Sequence, residues 1–363
     1  MIPIRVVDTD INFLGEIDIY ESLIFEKSFH EIGTFQIVLP FDKTINSMLI
    51  EDHIVIIEND KFGIISSKEI TITDTKKLIV KGYELKSILS RRITVPNINE
   101  SHYIKKAKAG EVIRDLAVFN TKFFLHPDRR INNLRFDDFN NFKIGQEILL
   151  KTRYKPLHEE IIKISKASNV GWDIVIKDNK YLLKVIESID KTSNQDINPP
   201  ILFSVEFDNI ISLKYTKNNK SKNTAYVGGQ GVGVQREIAL INETYKDLNR
   251  KEVFIDARDI KESNELISRG NEKLSVLKTI ESFECEINPF SNFKYKEDWN
   301  LGDRVSIVSK DINIKKDLVI TKIKEVYESS GYKIHVTFGD KIPNILDKIK
   351  IISDQPQLEV NQI

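Results

Sequence analysis

Six histidines (His30, His53, His102, His126, His158 and His335) and one cysteine, Cys285, are the side chains of this sequence with the widest chemical reach. The histidines are scattered, and none forms an H-E-x-x-H or a comparable pair of metal ligands. His158-Glu-Glu160 comes nearest, but no second histidine follows four residues on, and a solvated helix face explains it better. Cys285 alternates with Phe283 and Ile287, the pattern of a small apolar side chain in a strand. A nucleophile there would need a neighbouring histidine, and no G-x-S-x-G elbow occurs elsewhere. Gly228-Gly-Gln-Gly-Val-Gly233 invites a phosphate, yet no Gly-Lys-Ser/Thr follows it. Residues 234–240 read as a strand, not as the helix a dinucleotide site requires. Glycines at that density let the backbone bend between domains or lie against another subunit. Ser90-Arg91-Arg92 is a small basic cluster suited to salt bridges. No catalytic, cofactor or metal constellation emerges, which favours a structural role over an enzyme.

Composition narrows the classes further. The 363 residues carry 54 Lys+Arg and 54 Asp+Glu, a formal net charge of zero. That balance argues against a general nucleic-acid binder and against a polybasic membrane-surface protein. It leaves open a protein that associates with partners, since near-zero charge favours association. One cysteine excludes an intrachain disulfide framework. The N-terminus lacks the basic and apolar regions of a signal peptide, and no apolar run approaches the ~20 residues that span a bilayer. Synthesis in the cytoplasm, without membrane insertion, is the expectation.

The elements that must position these residues fall into three zones, in line with a prior of about 150 residues per domain. Residues 1–90 alternate apolar and polar side chains in short runs separated by turns, the pattern of a β-barrel or sandwich. Residues 91–200 change texture. Helical spacing marks 109–119 and 152–168, with Pro156 in the first turn of the second helix. Residues 171–176 and 181–186 form a hairpin across Lys-Asp-Asn-Lys, and 191–200 reads as an exit linker. From 201 strands resume, interrupted by a long polar helix at about 258–278 that bends near Gly270. Residues 342–352 read as a closing helix, and the tail to 363 has no packed pattern. The fold class is mostly β (α+β), with two similar β-barrel domains flanking an α+β insert. The first barrel spans 1–90 and is completed by 201–235; the second spans 236–345.

The two β zones look like copies of one plan. Phe35-Gln-Ile-Val-Leu-Pro40 is answered by Phe283-Glu-Cys-Glu-Ile-Asn-Pro289, and the stretch around Asp52 by that around Asp303. Residues 62–70 are answered by 318–326, placing Glu69 with Glu325, and each last strand ends on glycine, Gly82 and Gly339. Any two β regions share strands of similar length, but order and spacing match across four elements. Two barrels per chain let a ring of n chains present 2n similar barrels, which suits a partner ring of twice the rotational symmetry.

Three segments resemble the tail-hub, or baseplate-hub, proteins of long-tailed bacteriophages and phage-tail-like particles. They are Lys81-Gly-Tyr-Glu-Leu-Lys-Ser-Ile-Leu-Ser-Arg91-Arg92-Ile93, the glycine-rich passage Gly228-Gly229-Gln-Gly231-Val-Gly233-Val-Gln-Arg236, and Tyr295-Lys-Glu-Asp-Trp299-Asn-Leu-Gly302-Asp303-Arg-Val305. The strand with Gly33 and Phe35, ending at Pro40, is similar to an early strand of that family. The resemblance spans about residues 30–340. It implies tail-tube-like barrels and a homotrimer whose pseudo-sixfold ring joins a hexameric tail tube to a threefold tip or spike. It further implies baseplate proteins and the tape-measure protein as candidate partners, and assembly into a phage tail or phage-tail-like bacteriocin or injection particle. The interface candidates it implies are Gly33, Phe35, Pro40, Arg91, Arg92, Gly228, Gly229, Gly231, Gly233, Arg236, Trp299, Gly302 and Asp303. Relatives that carry a fused cell-wall peptidase or lysozyme domain extend further; with the sequence ending at 363, no such activity is expected. The competing classes are a receptor- or carbohydrate-binding tail adhesin and a cell-wall hydrolase acting through His158 and Glu159.

Overall fold

Alternation over the first ninety residues builds seven strands: β1 (Ile4–Val7), β2 (Phe13–Ile17), β3 (Ser22–Ser28), β4 (Thr34–Pro40), β5 (Ile54–Ile57), β6 (Lys61–Ile72) and β7 (Lys76–Glu84). A short helix, α1 (Lys43–Met48), starts where the Asp42 carboxylate accepts the N–H groups of Thr44 and Ile45. The computed structural model describes residues 2–74, 76–122, 127–218, 221–277 and 280–339. The expected closing helix at 342–352 lies outside them.

The insert contains β8 (Tyr103–Lys108), α2 (Ala109–Thr121), β9 (Leu134–Phe136), β10 (Glu147–Thr152), α3 (Leu157–Ser168), β11 (Val170–Lys177) and β12 (Lys180–Glu187). Helix α3 begins one residue after Pro156; Thr152, the expected start of that helix, instead ends β10 and pairs with Tyr103 of β8. The β11–β12 hairpin turns at Asp178 and Asn179, both at positive φ, as a two-residue hairpin demands. Trp172 and the inner faces of α2 and α3 form the insert's core. Glu160, expected on a solvated face, is buried and held 2.5 Å from Lys163.

Beyond it run β13 (Asp190–Lys191), β14 (Leu202–Phe203), β15 (Ile210–Asn218), β16 (Thr224–Gly228), β17 (Ile238–Ile241), β18 (Glu252–Asp256), α4 (Ser263–Val276), β19 (Ile280–Ile287), β20 (Arg304–Ser309), β21 (Ile314–Glu328) and β22 (Gly331–Gly339). Residues 191–200 are an ordered loop, with Gln195 bonded to the Thr192 and Asn198 carbonyls. The chain divides into two compact units, residues 1–213 with 284–338, and residues 214–283.

The large sheet has the order β15-β19-β22-β21-β3-β4-β7-β6-β5-β1-β2, with β20 on β21, and β13 and β14 on β20. Within it the strand order β3-β4-β7-β6-β5 recurs as β15-β19-β22-β21-β20. Both long strands carry a bulge: Ser66 is skipped between β6 and β7, and Thr321 between β21 and β22. At each, the bulged hydroxyl donates to the carbonyl opposite, Ser66 to Lys81 and Thr321 to Thr337, both at 3.2 Å. The entry turns match as well. The N–H groups of Asp52 and Gly302 donate to the Ile65 and Ile320 carbonyls, and those isoleucines return bonds to His53 and Asp303. Asp52 and Gly302 both have positive φ, 70° and 95°.

These bonds correct the alignment read from residue types. Asp52 is equivalent to Gly302 rather than Asp303, Glu69 to Lys324 rather than Glu325, and Gly82 to Phe338 rather than Gly339. They also correct how the barrels are composed. Of the strands in 201–235, β14 joins β20, β15 joins β19, and β16 lies in a separate three-stranded sheet with β17 and β18; none pairs with β1–β7. That three-stranded sheet and α4 share a core of Ala225, Val227, Ile255, Ile260 and Leu266. Helix α4 starts at Ser263 and runs through Gly270 unbroken. A Cβ at Gly270 would lie 2.7 Å from Ile241 Cγ1 and 2.8 Å from Val227 Cγ2, so this glycine serves close packing, not a bend.

Candidate assembly interface

The two copies meet where β21 pairs antiparallel with β3, from Lys322 opposite Ser28 to Glu328 opposite Ser22. Residues 314–319 of β21 pair with β20, so one long strand serves its own copy first and the other copy afterwards. Inward-facing Leu23 and Phe25 anchor β3, and the Phe25 ring stacks on Phe35 with centroids 6.1 Å apart. Beside the seam, the Phe29 ring fills the space over two glycines. A Cβ on either Gly171 or Gly302 would come within 2.2 Å of it. One aromatic thus packs the insert and the β20 turn against β3, and only glycine permits either contact.

Charged groups are buried along the same seam. Lys61 Nζ is fully buried, 3.0 Å from Glu325 Oε2, 2.9 Å from Glu58 Oε2 and 2.9 Å from the Tyr327 hydroxyl. Tyr327 and Tyr332 each donate to Glu325 Oε1, at 2.8 and 2.9 Å. Lys296 closes the cluster on Glu58 and Asp60 at 2.7 and 3.0 Å. Burial alone would push Glu58 up and Lys296 down. Their hydrogen bonds win, holding the Glu58 carboxyl below and the Lys296 amine above their ordinary values. Burial and the Glu325 charge raise both phenols well above theirs. A cleft of about 680 Å³ opens on these groups, with Tyr20 and Tyr295 on its wall. General acid–base catalysis needs groups tuned toward the working pH. Here Glu58, Lys296 and the two phenols are each tuned away from it.

The residues singled out from sequence are spread through the chain. Gly33 donates its N–H to Glu84 Oε2 at 2.6 Å inside the first copy. Phe35 is buried, and Pro40 is the exposed end of β4. Arg91 pairs with Asp52, and Arg92 donates to the Arg129 carbonyl. Arg236 binds the Gly228 and Gly229 carbonyls at 2.9 and 3.0 Å, pinning the glycine-rich loop from within. Gly231 and Gly233 have φ of 107° and 60°, and between and beyond them Val232 and Val234 are fully exposed. The strand expected at 234–240 starts only at Ile238, after a short 3-10 turn at Gly233–Gln235. Trp299 is buried in a T-shaped contact with Phe203, at 5.4 Å. Asp303 is buried 2.8 Å from Lys191. Cys285 is buried, and desolvation pushes its thiol up to about 12, in keeping with an inert core residue. The seam's charge cluster went unread in the sequence, because Lys61 and Glu325 are distant in the chain and neither stands in a motif. Its one local signal is a lysine opening a strand just before the apolar run Phe62-Gly-Ile-Ile65.

A family model for the Siphovirus ReqiPepy6 Gp37-like protein matches residues 3–340. The chain belongs to that family. Solved structures with the same fold include the tail protein from Neisseria meningitidis MC58, at 13% identity and TM-score 0.59, covering 93% of this chain and 96% of that one. The 43 kDa tail protein of prophage MuSo2 from Shewanella oneidensis follows at 10% identity and TM-score 0.57, covering 93% and 98%. Prophage tail protein gp18 from Listeria monocytogenes EGD-e has 10% identity and TM-score 0.52, covering 97% and 98%. No curated protein matches the sequence. Membership in a siphovirus family and the fold of prophage tail proteins agree with the resemblance drawn from the motifs. No helix among the described residues is long and apolar enough to cross a membrane.

Proposed function

We propose that this member of the Gp37-like family is a structural hub of a phage tail or phage-tail-like particle. It forms a homotrimer whose six β units adapt a hexameric tail tube to a threefold tip or spike. The observation that carries this reading is the duplication: one strand order, with matching bulges and entry turns, occurs twice in a chain with the fold of prophage tail proteins. Three chains supply six such units, which is the arithmetic a three-to-six adaptor requires. The buried charge cluster supports a structural role, since its groups are committed to one another. Tube protein, tip or spike, baseplate proteins and the tape-measure protein are the partners, and the particle is the final location. The exposed valines of the Gly228–Arg236 loop are candidate contacts with those partners. Mass photometry and low-resolution cryo-EM of the purified protein, alone and with its tube protein, test the reading. A threefold ring is expected; monomers throughout, even with tube protein present, would sink it.

A further inference from the structure

Duplication creates a pairing that is made once within the chain and has a counterpart left unmade. The second copy's long strand, β21, gives residues 322–328 to β3, the outer strand of the first copy. The first copy's long strand is β6, and the bulge equivalence places its residues 67–73 where 322–328 lie in β21. The outer strand of the second copy is β15, which ends the sheet order. Among the described strands, residues 67–72 have β7 on one edge and none on the other, because β5 covers only residues 61–64.

Exposure tells the same story. In the stretch of β21 that pairs with β3, Ile323, Glu325 and Val326 are buried, whereas Ile70 and Ile72 of β6 are 43% and 70% exposed. Leu23 and Phe25 of β3 are buried, but Leu213 and Tyr215 of β15 are only half-buried, and Ile211 is 57% exposed. An open strand edge that exposes Ile70 and Ile72 is an aggregation hazard, and natural sheets cover or pair such edges.

We infer that residues 67–72 of β6 pair antiparallel with β15 of a second copy of this chain, repeating between chains the β3–β21 seam. The inference rests on the ring reading above and names the surface that closes the ring. The register follows from two anchors. Bulge equivalence sets Ile70 in the place of Glu325, which faces Phe25. Phe25 stacks on Phe35 as Tyr215 packs on Phe283, at 4.7 Å, so Tyr215 takes the place of Phe25. Ile70 then faces Tyr215, and Ile72 faces Leu213. Both are apolar cross-strand pairs of the kind that stabilise sheets. Lys68 and Lys217 also come opposite, but each is held in its own chain, by Asn46 at 3.1 Å and by Glu281 at 3.1 Å. The pairing is head-to-tail, so it propagates around a ring and does not stop at a dimer.

Disulfide trapping in the full chain tests this, with Cys285 left in place because it is buried. Ile72→Cys combined with Leu213→Cys should give disulfide-linked chains ending at a closed trimer on non-reducing gels. Ser67→Cys with Leu213→Cys, about 17 Å out of register, should not; equal cross-linking of the two would overturn the register. No cross-link in a ring that mass photometry shows assembled overturns the pairing and leaves the hub reading standing. A monomer with no cross-link overturns both. Linked dimers that never grow overturn the head-to-tail geometry. Ile70→Lys with Ile72→Lys should weaken assembly at least about tenfold, since each replaces an apolar contact with a buried charge, while circular dichroism stays unchanged. Unchanged assembly in that variant overturns the inference.

Discussion

Lys61→Met asks whether the buried charge cluster holds the two copies together. The substitution keeps most of the side-chain volume but removes the cation 3.0 Å from Glu325, whose side chain is only 4% exposed. Removing one partner of a buried pair strands the other charge and costs about 3–5 kcal/mol. Two features put this case near the lower end. Glu325 keeps hydrogen bonds from Tyr327 and Tyr332, and Glu58 keeps Lys296 at 2.7 Å. A loss of about 3 kcal/mol lowers the folded-to-unfolded ratio by roughly two powers of ten. Urea denaturation followed by tryptophan fluorescence reads it well, because Trp172 and Trp299 are both fully buried in the unit that contains the cluster. Glu325→Gln in the same chain still accepts the phenol hydroxyls and removes the stranded charge. Lys61→Met with Glu325→Gln should therefore recover most of the loss. A loss below about 1 kcal/mol for Lys61→Met, the scale of a surface pair, would refute the reasoning, as would strictly additive single variants.

Three further outcomes are expected. Burial would push Glu31 up, but Lys322 and Lys166 pull it down to about 2 from an ordinary 4.5. Its contribution is therefore complete above about pH 4.5 and lost as pH falls through about 2, and Glu31→Gln should flatten acid denaturation across that window. His30 is held down to about 3 by burial, then by Lys166 and Lys86, against an ordinary 6.5. Stability should thus fall as pH drops from 6.5 toward 3, and nitrogen-15 spectra should show a neutral His30 ring at pH 5; a midpoint near 6.5 in the folded protein would contradict this. A Cβ at Gly63 would lie 2.5 Å from the Phe35 ring. Gly63→Ala should therefore cost about 1–3 kcal/mol, and adding Phe35→Leu should relieve part of it, as measured by thermal melting.

Strand alternation and turn residues were enough to read the duplicated plan, because a half-buried strand must alternate and both copies bury one face. Residue types misled the alignment by one position. Asp52 resembles Asp303 and Gly82 resembles Gly339, yet hydrogen bonds and the positive φ of Asp52 and Gly302 set the true equivalence. The extra residue at each bulge is invisible to a comparison of letters. Trp299 and Phe35, interface candidates by sequence, are buried within the chain, since an aromatic near a turn looks alike whether it faces a core or a partner. The charge cluster and the role of Phe29 depend on segments brought together by the fold, which no local pattern encodes.

The β3–β21 seam also governs when the molecule can be finished. Ser22 meets Glu328, so the edge of a strand made among the first residues waits for almost the last described ones. At about 5–20 residues per second, roughly 15–60 s of translation separate the two. Through that interval the emerging chain carries the open edge of β3 alongside the free edge of β6, and pairing over such sequence distance is slow even after release. Crowded ribosomes on one message would hold many such edges close together. Subunit joining and misassembly therefore compete from the moment of synthesis, and slowing translation near the 3′ end of the message should raise the insoluble fraction.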